Sequence, residues 1–431
     1  MPQLLSRAPN LAFVGSYVPR QCGIATFTHD SRAAVLGEAG VIYAPVVAVE
    51  NEEHPQQYAH EVAVVIRRDR IEDYASAAAQ LSLLDVDAVN LQHEFGLFGG
   101  EAGAHILHLV EALDVPLITT LHTVLETPDP MQRHVTEALV RHSARLLVMT
   151  KKAADILQRT HPAARVKTII LPHGIPNLDL PPPALARTQL GLPTRATLLS
   201  FGLLSPNKGL EVMIDGLPDV VRETPDVNYV ILGATHPDLV RREGEAYRNG
   251  LRSRVAMLGV QANVTFVNRY TDLLELCAYL AAADIFVTPY LNATQATSGA
   301  LAYSYGLGKP VVSTPYWHAE ELLADGRGIL VPFADPRALA EGVSTLFRND
   351  QLRAAMACQA YADGKAMRWP VIGLHLARIA AEVTMRAPLP AGSSGHSILR
   401  SSYAGKSRGG RPQGLPELIR PSERAPGRER W

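Results

Sequence analysis

Residues 284–314 read DIFVTPYLNATQATSGALAYSYGLGKPVVST, and the chemistry sits in their middle. Asn292, Thr294, Gln295 and Thr297 offer amides and hydroxyls without net charge. Thr297 and Ser298 are helix-capping types, and Leu301 and Tyr305 follow one turn apart, so a helix is expected to start there. Gly299 falls in its first turn, where a missing side chain lets a ligand approach the backbone. Free N–H groups and the positive end of the helix dipole suit such a start to phosphate. Every α/β domain caps some helices in this way, so the motif gains meaning only beside a cation. The run 200–209, SFGLLSPNKG, supplies one: Gly202 follows a strand and Lys208 stands at the mouth of a helix. Facing the 297–299 turn across a sheet, Lys208 would neutralise a diphosphate cradled by the amides of Thr297, Ser298 and Gly299.

The first half offers the opposite wall. Gly23 opens a helix after a strand, and His122 follows the strand Leu117–Leu121 at its carboxyl end. His93 and Glu94, in NLQHEFGLFGG, precede a Gly-rich loop, and Arg20 lies in the turn after the first strand. Each has an ordinary competing role: a packed histidine for His93 or His122, a capping carboxylate for Glu94.

These groups need sheets to hold them. Strands are expected at Leu11–Gly15 and at 44–49, 62–66, 88–91, 117–121, 146–149 and 169–171, with helices at 24–39 and 101–113. Residues 175–194 then contain Pro176, Pro181, Pro182, Pro183 and Pro193, which reads as a stiff, extended connector. The alternation restarts with strands at 197–201, 229–232, 263–267 and 285–287, helices at 209–217 and 272–283, and a last strand at 328–332. Strands spaced by helices argue for two doubly wound α/β domains facing each other across a cleft, with ligands beyond the carboxyl ends of the strands. The expected division is 1–174 for the first domain, 175–195 for the linker, 196–368 for the second domain, 369–386 for a further helix and 387–431 for a tail.

Composition narrows the class. The chain has 431 residues, 47% hydrophobic and 19% charged, with a formal net charge of −1, an ordinary globular balance that gives no footing for nucleic acid. Cys22, Cys277 and Cys358 match no zinc or disulfide spacing. The N-terminus lacks a signal-peptide core and no apolar window is long enough to span a membrane, so a cytoplasmic protein is expected. The tail, rich in Gly, Ser, Pro and Arg, is expected to be disordered; its Arg400, Lys406, Arg408 and Arg411 admit peripheral contact with anionic lipid. No Walker spacing and no GxGxxG occurs, which removes P-loop and simple dinucleotide readings.

Taken together these segments resemble a retaining glycosyltransferase of the GT-B fold, glycosyltransferase family 4. The likeness runs from about residue 11 to 385, through Cys22-Gly23, TLHT at 120–123, LPHG at 171–174, SFGLLSPNKG, GKPVVST at 308–314, HAEELLADGRGILVPF at 318–333 and RWP at 368–370. The resemblance implies a C-terminal helix crossing back to the first domain, a nucleotide-diphosphate sugar as co-substrate, no other cofactor and no metal. It also implies a glycan, lipid or small-molecule acceptor. The family's two glutamates, with seven residues between them, are replaced here by Gln295 and Tyr303, and an arginine common after the strand glycine is Leu203. Lys208 is then the retained cation, with Arg269 a candidate to supply missing charge. By the same resemblance His122, Lys208 and Gln295 carry the chemistry. Gly23, Gly202, Lys208, Arg269, Thr297, Ser298, Gly299 and Tyr303 hold the donor, and Arg20, His93 and Glu94 face the acceptor. Glu321 falls near the donor by position, and His173 is expected to orient the linker. The replacements keep a second class open, a catalytically silent relative that binds a sugar nucleotide or a partner. A phosphorylase or sugar-nucleotide epimerase on the same fold is a third.

Overall fold

The structure is a computed structural model that describes residues 8–38, 40–53 and 55–386. The tail and the membrane contact expected of it lie outside the described residues.

Short β-rich apolar runs make two parallel sheets. In the first, β1 (Leu11–Gly15), β2 (Val46–Glu50) and β4 (Ala88–His93) are buried along their whole length, as strands covered on both faces must be. With β3 (Val62–Arg67), β5 (Leu117–Leu121), β6 (Ser143–Val148) and β7 (Thr168–Ile170) the order is β3-β2-β1-β4-β5-β6-β7. The second sheet holds β8 (Thr197–Phe201), β9 (Asn228–Leu232), β10 (Val264–Val267), β11 (Ile285–Thr288), β12 (Val311–Ser313) and β13 (Ile329–Leu330) in the order β10-β9-β8-β11-β12-β13. Strand order reverses between β1 and β4 in one sheet and between β8 and β11 in the other. At such switch points the loops leaving the carboxyl ends diverge and open a crevice. The strand ends and the segments leaving them carry Arg20, Gly23, His93 and Glu94 in the first lobe, and Gly202, Lys208 and residues 291–298 in the second.

The chain crosses between lobes twice, and the crossings strap each other. The Ile175 amide donates to Met367 O, and the Trp369 amide donates back to Ile175 O, both at 2.9 Å. The helix Trp369–Arg386 then buries Leu376, Ile379, Ala380 and Val383 among Leu11, Phe13 and Val46 of the first lobe. Its Gly373 lies against the helix Gly23–Glu38 so closely that a Cβ would stand 2.5 Å from Ala34 O.

Two expectations need correction. The helix expected over 101–113 is a 3-10 turn, Glu101–Gly103, followed by a helix only from Ile106–Ala112. Positive φ at Gly100, Ala102 and Gly103 breaks the helical path. The proline-rich connector is not extended throughout: Pro183–Leu190 is helical, with proline at its first position, where no amide bond is lost. Arg187 of that helix donates to Ala282 O at 2.9 Å and pairs with Asp284 at 2.6 Å, pinning the linker to the second lobe.

Candidate functional site

Ser298, with extended φ/ψ, is the N-cap of the helix Gly299–Gly306, its Oγ accepting the Leu301 amide at 3.2 Å. The Ser298 hydroxyl also meets the Tyr290 phenol at 3.4 Å. Lys208 Nζ lies 3.9 Å from the centre of the Tyr290 ring, so Tyr290 joins the lysine to the helix start. Gly209, at φ +60°, makes this possible, because any Cβ there would run into Pro289 O. Ser200, Gly202, Lys208, Pro289 and Tyr290 line one pocket at the carboxyl edge of β8 and β11. Of the three amides expected to cradle phosphate, that of Ser298 already donates to His318 Nδ1 at 2.9 Å. Gln295 bonds within its own loop, its side-chain amide donating to Thr297 O at 2.6 Å.

In the first lobe His122 Nε2 lies 2.9 Å from Gln92 Oε1. Burial, followed by the neighbouring His173 and His93, pushes the His122 imidazole down to about 3, so the ring is neutral at neutral pH. His93 is fully buried between Phe95 and Phe98 with neither ring nitrogen bonded, and burial alone pushes it down to about 3. The Glu94 carboxylate accepts from Thr123 Oγ1 at 2.6 Å and from the Phe95 amide at 3.0 Å. Burial nevertheless raises its carboxyl above the usual range, against those two bonds. Arg20 keeps a buried guanidinium nitrogen, Nη1, without a partner.

Segments leaving the strand ends of both lobes meet in a bridged seam. Phe27 packs edge-on against His122 at 4.9 Å, His173 at 5.0 Å and Trp369 at 5.2 Å. His173 in turn sits 5.8 Å from Tyr303, and a Cβ on Gly299 would come 3.1 Å from His173 Nε2. Tyr303 donates to Asp30 Oδ2 at 3.2 Å, and Thr26 meets Tyr270 at 3.1 Å. The Glu321 carboxylate receives the Lys151 and Lys152 amides at 2.8 and 3.0 Å, capping the first-lobe helix Lys151–Thr160 from the second lobe. Trp317 follows it into the first-lobe core, beneath Lys152.

The fold thus brings His122, Gly299, Ser298, Tyr303 and Lys208 into one chain of contacts through Phe27, His173 and Tyr290. Gly23 begins the helix that carries Phe27, with open space around the position of a Cβ. Arg269 lies past β10, half-exposed and ion-paired with Glu275. Sequence reasoning missed Asp30, Phe27, Tyr290, His318 and Gln92. Buried polar residues in an otherwise apolar strand, as in AVNLQH, were the available signal for Gln92.

Known proteins resemble this chain in sequence and in fold. Residues 195–349 match the family model for glycosyl transferases group 1. A D-inositol 3-phosphate glycosyltransferase of Xylanimonas cellulosilytica is 29% identical over 303 residues, covering 64% of this chain and 69% of that protein. A phosphatidyl-myo-inositol mannosyltransferase of Mycobacterium tuberculosis is 26% identical over 272 residues, 61% of this chain and 67% of its own length. Four such relatives are covered over 62% to 69% of their length, so the chain spans about two thirds of the curated proteins it matches. Among solved structures, Anabaena HepE in complex with UDP and glucose superposes with a TM-score of 0.69 at 18% identity, over 87% of this chain and all 100% of that one. Sucrose-phosphate synthase from Thermosynechococcus elongatus gives 0.69 at 16% identity, over 88% and 100%. Residues 195–349 therefore form a domain of the glycosyl transferases group 1 family, set in a chain with the two-lobed GT-B fold.

Proposed function

We propose that this protein is a retaining hexosyltransferase that moves a sugar from a nucleotide diphosphate to an acceptor without a metal or further cofactor. The observation that carries the reading is the meeting of Lys208 with the Ser298 helix cap at Tyr290, on the carboxyl edge of β8 and β11. Breaking a sugar–diphosphate bond puts negative charge on the leaving phosphate and positive charge on the ring. A lysine and a helix start stabilise the first without a divalent cation. His122, reaching the seam from the first lobe, is assigned to the donor sugar, and His93, Glu94 and Arg20 to the acceptor side. A raised Glu94 carboxyl beside Thr123 suits a hydroxyl acceptor. UDP and glucose in the HepE complex and the inositol acceptors in the relatives' names choose the first compounds to assay.

The test is release of nucleoside diphosphate from UDP-, GDP- and ADP-sugars with inositol-bearing and glycan acceptors, with and without EDTA. Turnover that survives EDTA and is lost in Lys208→Ala supports the reading; dependence on added divalent metal sinks its metal-free part. Gln295 and Tyr303, at the positions of the two replaced glutamates, bond within the protein, to Thr297 and Asp30. That favours one second reading, a silent relative that binds a sugar nucleotide, and tight donor binding without any turnover would establish it.

A further inference from the structure

Two amide side chains, Asn90 and Gln92, are completely buried on one face of β4, an unusual place for them unless every polar atom is matched. Asn90 Nδ2 donates to Ile118 O at 3.3 Å and to Thr120 Oγ1 at 3.2 Å. A backbone carbonyl only accepts, so the nitrogen end of the Asn90 amide must face it and Oδ1 must face the other way. Gln92 Nε2 donates to that Oδ1, which turns Gln92 Oε1 toward His122 Nε2 at 2.9 Å. Polarity therefore propagates in one direction from the Ile118 carbonyl, and the histidine nitrogen at its end has to carry the proton.

We propose that Gln92 is a positioning residue that holds His122 as the Nε2–H tautomer, presenting Nδ1 to the donor sugar as a hydrogen-bond acceptor. This rests on the sugar-nucleotide reading above and adds a specificity. A neutral ring with a bare Nδ1 accepts from a hydroxyl or amide N–H and repels a carboxylate, which has only lone pairs to offer. A donor sugar that offers a hydroxyl to Nδ1 is then preferred over one that offers a carboxylate. Burial keeps the ring uncharged, which removes the alternative of an imidazolium donating from both nitrogens.

The experiment uses the full chain labelled with 15N-histidine. Two-bond proton–nitrogen correlation distinguishes the tautomers, and loss of one pattern in His122→Asn assigns it. The wild type is expected to show the Nε2–H pattern for His122. Gln92→Met, and independently Asn90→Leu, which frees the Gln92 amide to flip, are expected to give a mixture. In equilibrium binding the wild type should prefer a nucleotide hexose over the corresponding nucleotide uronate by about tenfold or more, the scale of one mismatched buried polar contact. That preference should shrink in Gln92→Met. An Nδ1–H pattern in the wild type, or an unchanged pattern in both Gln92→Met and Asn90→Leu, overturns the proposal even if transfer occurs. A wild type that binds no nucleotide sugar instead sinks the sugar reading, while the tautomer result stands on its own.

Discussion

Tyr303 is bonded across the seam, and its surroundings explain why a carboxylate would not fit in its place. Its hydroxyl donates across the seam to Asp30, which also bonds His29 at 3.0 Å. Burial, then the Asp30 charge, raises the phenol well above its usual value, so the group is a neutral donor. Tyr303→Glu would set two carboxylates facing each other in a buried place, where like charges force one to stay protonated. The expected result is a protein with a lower Tm near pH 7 and weaker nucleotide binding, recovered in part by adding Asp30→Asn. A double-mutant cycle in thermal shift measures this, and simple additivity would remove Asp30 from the explanation. The neighbouring Lys208 is the opposite case, since no acidic side chain pairs with it among the described ion pairs. Lys208→Ala is expected to cost about 10²–10³ in nucleotide release, the scale of one lost charge-stabilising group, with Tm little changed.

At the scale of elements, the helix Trp369–Arg386 shows how a close approach fixes the join between lobes. Gly373→Val would press a branched side chain against Ala34 O and the Ala34 side chain. The expected loss is about 1–3 kcal/mol, seen as a lower midpoint in urea unfolding, because two backbones must separate to admit it. A substitution tolerated without loss would mean the helix is not seated on Gly23–Glu38. Much of this level was legible: Leu11–Gly15, Leu117–Leu121 and Thr197–Phe201 coincide with their largely apolar runs, since a strand covered on both faces is mostly apolar. The helices Pro130–His142 and Lys151–Thr160 went unread although both have signals. The first opens with an Asp129–Gln132 capping box, and the second with a Thr150 cap. What no local pattern announces is the Glu321 carboxylate completing the second helix across 170 positions of sequence. For the same reason Lys208 and the Ser298 cap were readable as separate motifs, while Tyr290 between them was not. Its role depends on a packing direction that only the assembled sheet sets.

Four histidines, three at the seam and His93 in the first lobe, give the whole molecule a pH dependence that runs against habit. Burial pushes His93, His122 and His318 down to about 3 and His173 to about 4, all from an ordinary value near 6.5. Below pH 6.5 the unfolded chain takes up protons that the folded chain refuses. Stability is therefore fully present above that value and falls as pH drops toward 4, by up to about 1.4 kcal/mol per pH unit for each such histidine. Glu94 opposes the trend, because its raised carboxyl binds a proton more readily folded than unfolded and loses that advantage as pH rises through its value. One carboxyl against four imidazoles leaves the histidines in control, and Tm should decline from pH 6.5 to 4. His318→Asn isolates a single contribution: an asparagine Oδ1 can replace Nδ1 as acceptor for the Ser298 amide while removing the titrating group. Its Tm should match the wild type at pH 7.5 and fall less steeply in acid, as read by calorimetry across that range. Parallel curves would show that His318 takes up its proton in the folded state, which requires water to reach the seam between the lobes.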